Sequence, residues 1–230
     1  MSTDSGAKPT ILLVHGAWHG PWSWDRLAPE LESRGWNVRT VQLPSASADL
    51  ERNAGMYDDA RAVRAALEAI GGPTTVLAHS YGGIPVTEAA GDAGNVDRII
   101  YLSAFQLDVG DSLAGQSGGQ LPAGDIGTIP PNPEPLEYFY NGVPADAAEW
   151  AAKQLVPQSV RSFSEPLTRA AWRTVPSTYF LGEQDRAVPL DFQRAMAARS
   201  SRTRLLPSGH SAFLSMPAEL ADAITAERAR

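Results

Sequence analysis

Residues 74–83 read TTVLAHSYGG, and Ser80 within them decides the fold. An apolar, β-branched run at 74–78 has strand character, and residues 84–90 predict a helix immediately after it. Small residues stand two places before the serine (Ala78) and two after it (Gly82). This is the G-x-S-x-G elbow with alanine in the first glycine position. The small residues are a steric requirement, because the serine backbone is strained and its neighbours pass close to the strand and helix. Such a turn lifts the hydroxyl above the sheet and aims the Tyr81 N–H at a developing oxyanion. A serine in an ordinary strand-to-helix turn is the plainer alternative, and the flanking signals argue against it.

Outward from this point, apolar runs and helical spacing alternate. Residues 9–14 (PTILLV), 37–43 (NVRTVQL), 96–103 (VDRIIYLS), 177–182 (STYFLG) and 203–206 (TRLL) read as strands. Residues 22–31 (WSWDRLAPEL), 56–70, 190–198 and 217–228 carry apolar residues at helical spacing. Strand and helix in alternation specify an α/β fold with a mostly parallel central sheet flanked by helices. One stretch breaks the rhythm. From about 106 to 166 no comparable strand appears, and six prolines fall between Pro122 and Pro144. It contains a predicted short helix at 145–155 and reads as a small cap inserted between strands of a single domain spanning residues 1–230.

At 230 residues and 43% hydrophobic, the chain can bury one core. Its formal net charge of −7, with basic residues dispersed, makes nucleic acid and anionic membrane surfaces poor partners. Arg199, Arg202 and Arg204 form too short a cluster for a binding patch and read as a solvated face. No run approaches a membrane span, and the polar start (MSTDSGAKP) lacks a signal-peptide apolar stretch. A cytoplasmic location is the simplest expectation. With no cysteine there is neither disulfide framework nor thiolate chemistry.

Ser80 needs a base, and the chain has four histidines. His79 sits inside the elbow and points away from the hydroxyl, so it reads as packing. His15 and His19 have the spacing of a helical metal pair, but Gly16, Gly20 and Pro21 argue against that helix, and no metal site is expected. His210, in PSGHS just after the last strand, reaches the strand ends where Ser80 emerges. Between them, the turn after strand 177–182 supplies Asp185 to orient the imidazole. Glu183 and Asp191 are local competitors and Asp108 a remote one. The loop after the first strand, HGAWHG at 15–20, offers the Ala17 N–H as a second oxyanion donor beside that of Tyr81.

The order Ser80, Asp185, His210, with the stretches VHGAWHGPWSW, LAHSYGG, YLSAF, PSTYFLGEQDRAVP and SGHSAFLSMP, resembles the α/β-hydrolase family of plant methylesterases, hydroxynitrile lyases and bacterial esterases. The resemblance implies Ser80 as nucleophile, His210 as base, Asp185 as its acid and the Ala17 and Tyr81 amides as oxyanion hole. The lyase branch fits less well, since Gly16 and Ser211 stand where those enzymes carry threonine and lysine. The expected activity is cofactor-free hydrolysis of carboxylic esters through an acyl-enzyme. A non-hydrolytic triad enzyme and a small-molecule receptor on the same fold stay open as rivals. The expected partner is a small or medium neutral ester, aromatic ones included. Gly16, Trp18, Phe105, Tyr138 and Trp150 are the expected pocket residues, with Leu121, Ile126, Ile129, Phe139, Tyr140 and Phe163 as further apolar surface. The oligomeric state is not legible.

Overall fold

The computed structural model describes residues 8–49 and 53–228, so residues 1–7 of the polar start lie outside it. Six parallel strands make the central sheet: β1 (Thr10–Val14), β2 (Asn37–Val41), β3 (Thr74–His79), β4 (Val96–Leu102), β7 (Ser177–Gly182) and β8 (Arg202–Leu206). Two short strands, β5 (Thr128–Ile129) and β6 (Gln158–Ser159), pair antiparallel outside that sheet. The helices up to β5 are α1 (Leu27–Ser33), α2 (Met56–Ile70), α3 (Gly83–Ala89) and α4 (Leu113–Gln116). After β5 come α5 (Pro135–Tyr138), α6 (Ala145–Gln154), α7 (Val160–Ser164), α8 (Leu190–Ala197), α9 (Ala212–Ser215) and α10 (Pro217–Ala226).

The inner strands β1, β3 and β7 and the second half of β4 are buried at nearly every position because both faces of the sheet are covered, whereas the edge strands β2 (NVRTV) and β8 (RTRLL) keep polar, partly exposed residues. Leu12, Val14, Val76, Ala78, Ile99 and Tyr101 enter one core, shared with Val63, Leu67 and Ile84 of α2 and α3. Their alternating neighbours Ile11, Leu13, Leu77, Ile100 and Leu102 enter the other, shared with Leu31, Leu220 and Ile224. Each such aliphatic side chain contributes about 1.5–3 kcal/mol on burial. α2 spans the residues its spacing predicts and stops at Gly71, which takes the left-handed φ of +67°.

Sheet order places the functional crevice. The sheet runs β2-β1-β3-β4-β7-β8, so the chain leaves β1 toward one side and returns as β3 on the other. Loops after β1 and β3 therefore diverge above their carboxyl ends, the place where open α/β sheets bind ligands.

Two elements differ from expectation. Residues 22–31 do not form one helix: a 3-10 turn covers Pro21–Trp24 and α1 begins at Leu27. Pro29 has no N–H for a preceding carbonyl and is tolerated only in a first turn, which forces the restart. β2 ends at Val41 instead of Leu43, because the Leu43 amide leaves the sheet to donate to His15 Nε2 at 3.1 Å. The arginine cluster is also not simply solvated. Arg204 lies 3.6 Å and Arg202 3.9 Å from Glu227, a carboxylate only 4% exposed that also accepts from Thr178. Arg199 donates to the Gln106 carbonyl. Among the described residues no helix is long and apolar enough to cross a membrane.

Candidate active site

Ser80 has φ +52°, a left-handed value that a non-glycine residue adopts only where its surroundings impose it. β3 delivers it, and a 3-10 turn over Ser80–Gly82 carries the chain into α3. The small neighbours are needed for approach. A Cβ on Gly82 would lie 2.4 Å from the His15 carbonyl oxygen, and one on Gly16 would lie 2.9 Å from Ser80 Cβ. The elbow and the loop after β1 are thus pressed together.

His210 follows β8 and is 2% exposed. Its Nδ1 donates to Asp185 Oδ2 at 2.8 Å, which leaves Nε2 for the cavity that His210 and Ser80 both line. The Asp185 side chain is fully buried and saturated with donors. Its Oδ1 accepts the Ala187 and Val188 amides at 2.8 and 2.9 Å. Gln193 Nε2 donates to its Oδ2 at 3.3 Å, while Gln193 also bonds Gly182 and Val188. These donors fix the carboxylate in place, with Oδ2 turned to His210. The competitors stand elsewhere. Asp108 is held by Arg173 at 2.6 and 2.8 Å, Asp191 is exposed beside Arg194, and Glu183 is exposed.

Ala17 and Tyr81 face the same cavity. Neither backbone N–H has an acceptor among the described residues. Buried amides are nearly always paired, so two unengaged ones in a cavity wall form a place for an anionic oxygen. Trp18, next to Ala17, also has a left-handed φ of +62°.

The cavity holds about 610 Å³ and is walled mainly by apolar side chains. Of the expected pocket residues, Trp18, Phe105 and Tyr138 line it, as do Leu121, Phe139 and Phe163. Five expectations need correction, Ile129 among them: its carbonyl accepts from Trp18 Nε1, but the residue does not line the cavity. Trp150 is 42% exposed on α6, edge-on to Trp22 at 5.5 Å, because α6 turns its alanines (Ala147, Ala148, Ala151) inward. Gly16 does not line the cavity; it lets Ser80 approach the β1 loop. Ile126 is 85% exposed, and Tyr140 is buried with its hydroxyl on His19 Nε2 at 3.0 Å. Polar residues that spacing did not reveal also line the cavity: Gln116, Gln120, Asn132 and Arg186, the last paired with Glu137 at 3.4 Å.

The other three histidines are buried, with both ring nitrogens of His15 and His19 bonded within the protein. His15 spans Gly16 O and the Leu43 amide, and His19 spans Ala17 O and Tyr140. Burial pushes His15 down to about 4 and His19 to about 3. His79 is driven well below the usual range by burial and by His210, and its Nε2 donates to the His210 carbonyl at 3.0 Å. Among the described residues no His, Asp and Glu cluster is placed to hold a metal.

A sequence model described as the alpha/beta hydrolase family matches residues 11–223. The chain is 30% identical to the alpha/beta hydrolase nvfD of Aspergillus novofumigatus, covering 91% of this chain and 92% of that one. It is 29% identical to the carbendazim hydrolyzing esterase of a Nocardioides species, over 94% and 98%. The crystal structure of methylesterase MES16 from Arabidopsis superposes with a TM-score of 0.81 at 25% identity, over 96% of this chain and 99% of that one.

Proposed function

The chain belongs to the alpha/beta hydrolase family and is a carboxylic-ester hydrolase, and from that premise we propose that it cleaves small to medium neutral esters, aromatic ones included, through an acyl-enzyme on Ser80. The observation that carries this reading is the convergence on one apolar cavity of Ser80, His210 held by Asp185, and the free amides of Ala17 and Tyr81.

His210 Nε2 takes the Ser80 proton as Oγ attacks the ester carbonyl. Negative charge moves onto the carbonyl oxygen, where the Ala17 and Tyr81 N–H groups receive it; each such donor is worth about 10²–10³ in rate. Asp185 holds the tautomer with the proton on Nδ1 and stabilises the imidazolium. Collapse of the tetrahedral species breaks the bond to the alkoxy group, and His210 protonates the departing alcohol. Water then enters, His210 takes one of its protons, and the acid leaves with Ser80 restored.

The segment between β4 and β7 acts as a cap within one hydrolase domain and closes the cavity with Leu121, Tyr138, Phe139 and Phe163. The cavity volume falls in the range of small-molecule sites, and its mostly apolar wall with a few polar groups suits neutral acyl and alkyl parts. A chromogenic ester tests the proposal. Burst release followed by steady turnover is expected, with Ser80→Ala and His210→Ala each losing about 10⁴–10⁶-fold and the double variant little more. Ligand binding without turnover, or activity near wild type in either variant, would overturn it.

A further inference from the structure

One buried carboxyl takes no part in the chemistry above. Asp59, on α2, is fully buried and does not line the cavity. Its Oδ1 accepts the Ser45 amide at 2.9 Å. Its Oδ2 accepts the Ser45 hydroxyl at 2.5 Å and the Tyr81 hydroxyl at 2.6 Å. The chain of bonds continues. Ser45 Oγ accepts from Gln158 Nε2 at 2.6 Å, and Gln158 Oε1 accepts the Trp18 amide at 3.1 Å.

The two ends of this chain are the two sides of the proposed oxyanion hole. One end is the side chain of Tyr81, whose own amide is one donor. The other is the N–H of Trp18, in the peptide that directly follows Ala17, whose amide is the second donor. Trp18 is held further by its Nε1 on the Ile129 carbonyl at 3.0 Å and by its own carbonyl, which accepts from Val156 at 2.9 Å. A left-handed tryptophan persists only where it is held in this way. Every hydroxyl and amide in the network has one consistent direction: all three donors at Asp59 point toward it, and Ser45 Oγ receives from Gln158 while giving to Asp59.

We propose that Asp59 is a positioning residue for ester hydrolysis, fixing Tyr81 directly and the Ala17–Trp18 peptide through Ser45 and Gln158, so that both oxyanion donors keep one geometry. The proposal rests on the reading of the Ala17 and Tyr81 amides as oxyanion donors. Such donors act only when preorganised at the place the oxyanion will occupy, and a small displacement costs transition-state binding while leaving substrate binding intact. Burial pushes the Asp59 carboxyl up to about 7, against the lowering effect of its Ser45 and Tyr81 hydrogen bonds. A neutral amide of the same shape therefore fits the site, but its Nδ2 would face two hydroxyls that now point inward and would force the network to reverse.

The test compares wild type with Asp59→Asn, Tyr81→Phe and the double variant. Three quantities are read on a neutral activated ester: kcat, KM, and inhibition by a trifluoromethyl ketone, which adds to Ser80 as an oxyanion. Asp59→Asn is expected to lower kcat about 10- to 100-fold with KM within about two-fold, and to weaken the ketone by the same factor as kcat/KM. Tyr81→Phe is expected to show the same signature, and the double variant to add little, because both lie on one path. Unchanged kcat and ketone inhibition in Asp59→Asn, even with a lowered melting temperature, would make the residue purely structural and overturn the proposal. If Asp59→Asn does not fold, Tyr81→Phe decides alone: unaltered kcat overturns the proposal, and a loss shared by kcat and ketone binding supports it. Absence of Ser80-dependent turnover in wild type would overturn the hydrolytic reading and this proposal together, whereas Ser80-dependent turnover indifferent to Asp59 overturns this proposal only.

Discussion

Acidification should destabilise this protein through three buried histidines that stand outside the proposed triad. His15, His19 and His79 are 2% exposed or less, and burial lowers all three, His15 to about 4 and His19 to about 3. Geometry gives the reason a proton is unwelcome. His15 donates from Nδ1 to Gly16 O and accepts the Leu43 amide on Nε2, so protonating Nε2 would set two N–H groups head to head. A group whose folded pKa is depressed contributes stability that is fully present above its unfolded value, near 6.5, and is lost as pH falls. Between pH 6 and 5 each histidine costs on the order of 1 kcal/mol per pH unit. Asp59 runs the other way. Its folded value, raised to about 7, gives stability that is full below about 4 and lost as pH rises toward 7. Three groups against one leave a net loss of about 2–3 kcal/mol per pH unit, a large share of a stability of roughly 5–15 kcal/mol. Urea midpoints read by tryptophan fluorescence at pH 7.5, 6.5 and 5.5 should therefore fall by about 1 M per unit below pH 6.5. His15→Gln should fall less steeply. A midpoint that stays level or rises between pH 7.5 and 5.5 would refute the reasoning.

Asp185→Asn should cost about 10²–10⁴ in kcat, while Asp108→Asn, which breaks only a partly exposed pair with Arg173, should stay within about three-fold; steady-state kinetics on one ester rank them. Gly82→Ala drives a methyl against the His15 carbonyl oxygen, so a loss of about 1–3 kcal/mol in stability and most of the turnover is expected from melting and kinetic measurements. A cavity of about 610 Å³ should give higher kcat/KM on short-chain and arylalkyl esters than on long-chain lipids, with no jump in rate at a lipid–water interface. A clear preference for long chains would contradict that account of the wall.

Legibility in the sequence followed how local the deciding force was. The strands at 11–14 and 76–78 were readable because burial on both faces leaves them apolar at every position. α2 was readable because a wide apolar stripe and Gly71 mark its face and end. Ser80, His210 and Asp185 could be singled out as candidates because each sits in a turn directly after a strand, where position in the chain implies position at the sheet edge. Elsewhere tertiary effects prevailed. Pro29 overrode helical spacing at 22–31, and the side of α6 that packs decided that Trp150 points outward. The Asp59 network joins residues 14 to 140 positions apart through single hydrogen bonds, and neither periodicity nor motif marks such residues.

That Ser80 carries the acyl group is best tested by the mass of a trapped adduct. An aryl alkylphosphonate ester, which transfers its phosphonyl group to an activated serine and releases the phenol, is incubated with the protein while esterase activity is followed. One adduct per chain is predicted, mapped by peptide fragmentation to Ser80, forming in step with the loss of activity and absent from Ser80→Ala. An adduct on another residue, or a Ser80→Ala protein that still labels and still turns over ester, would contradict the account.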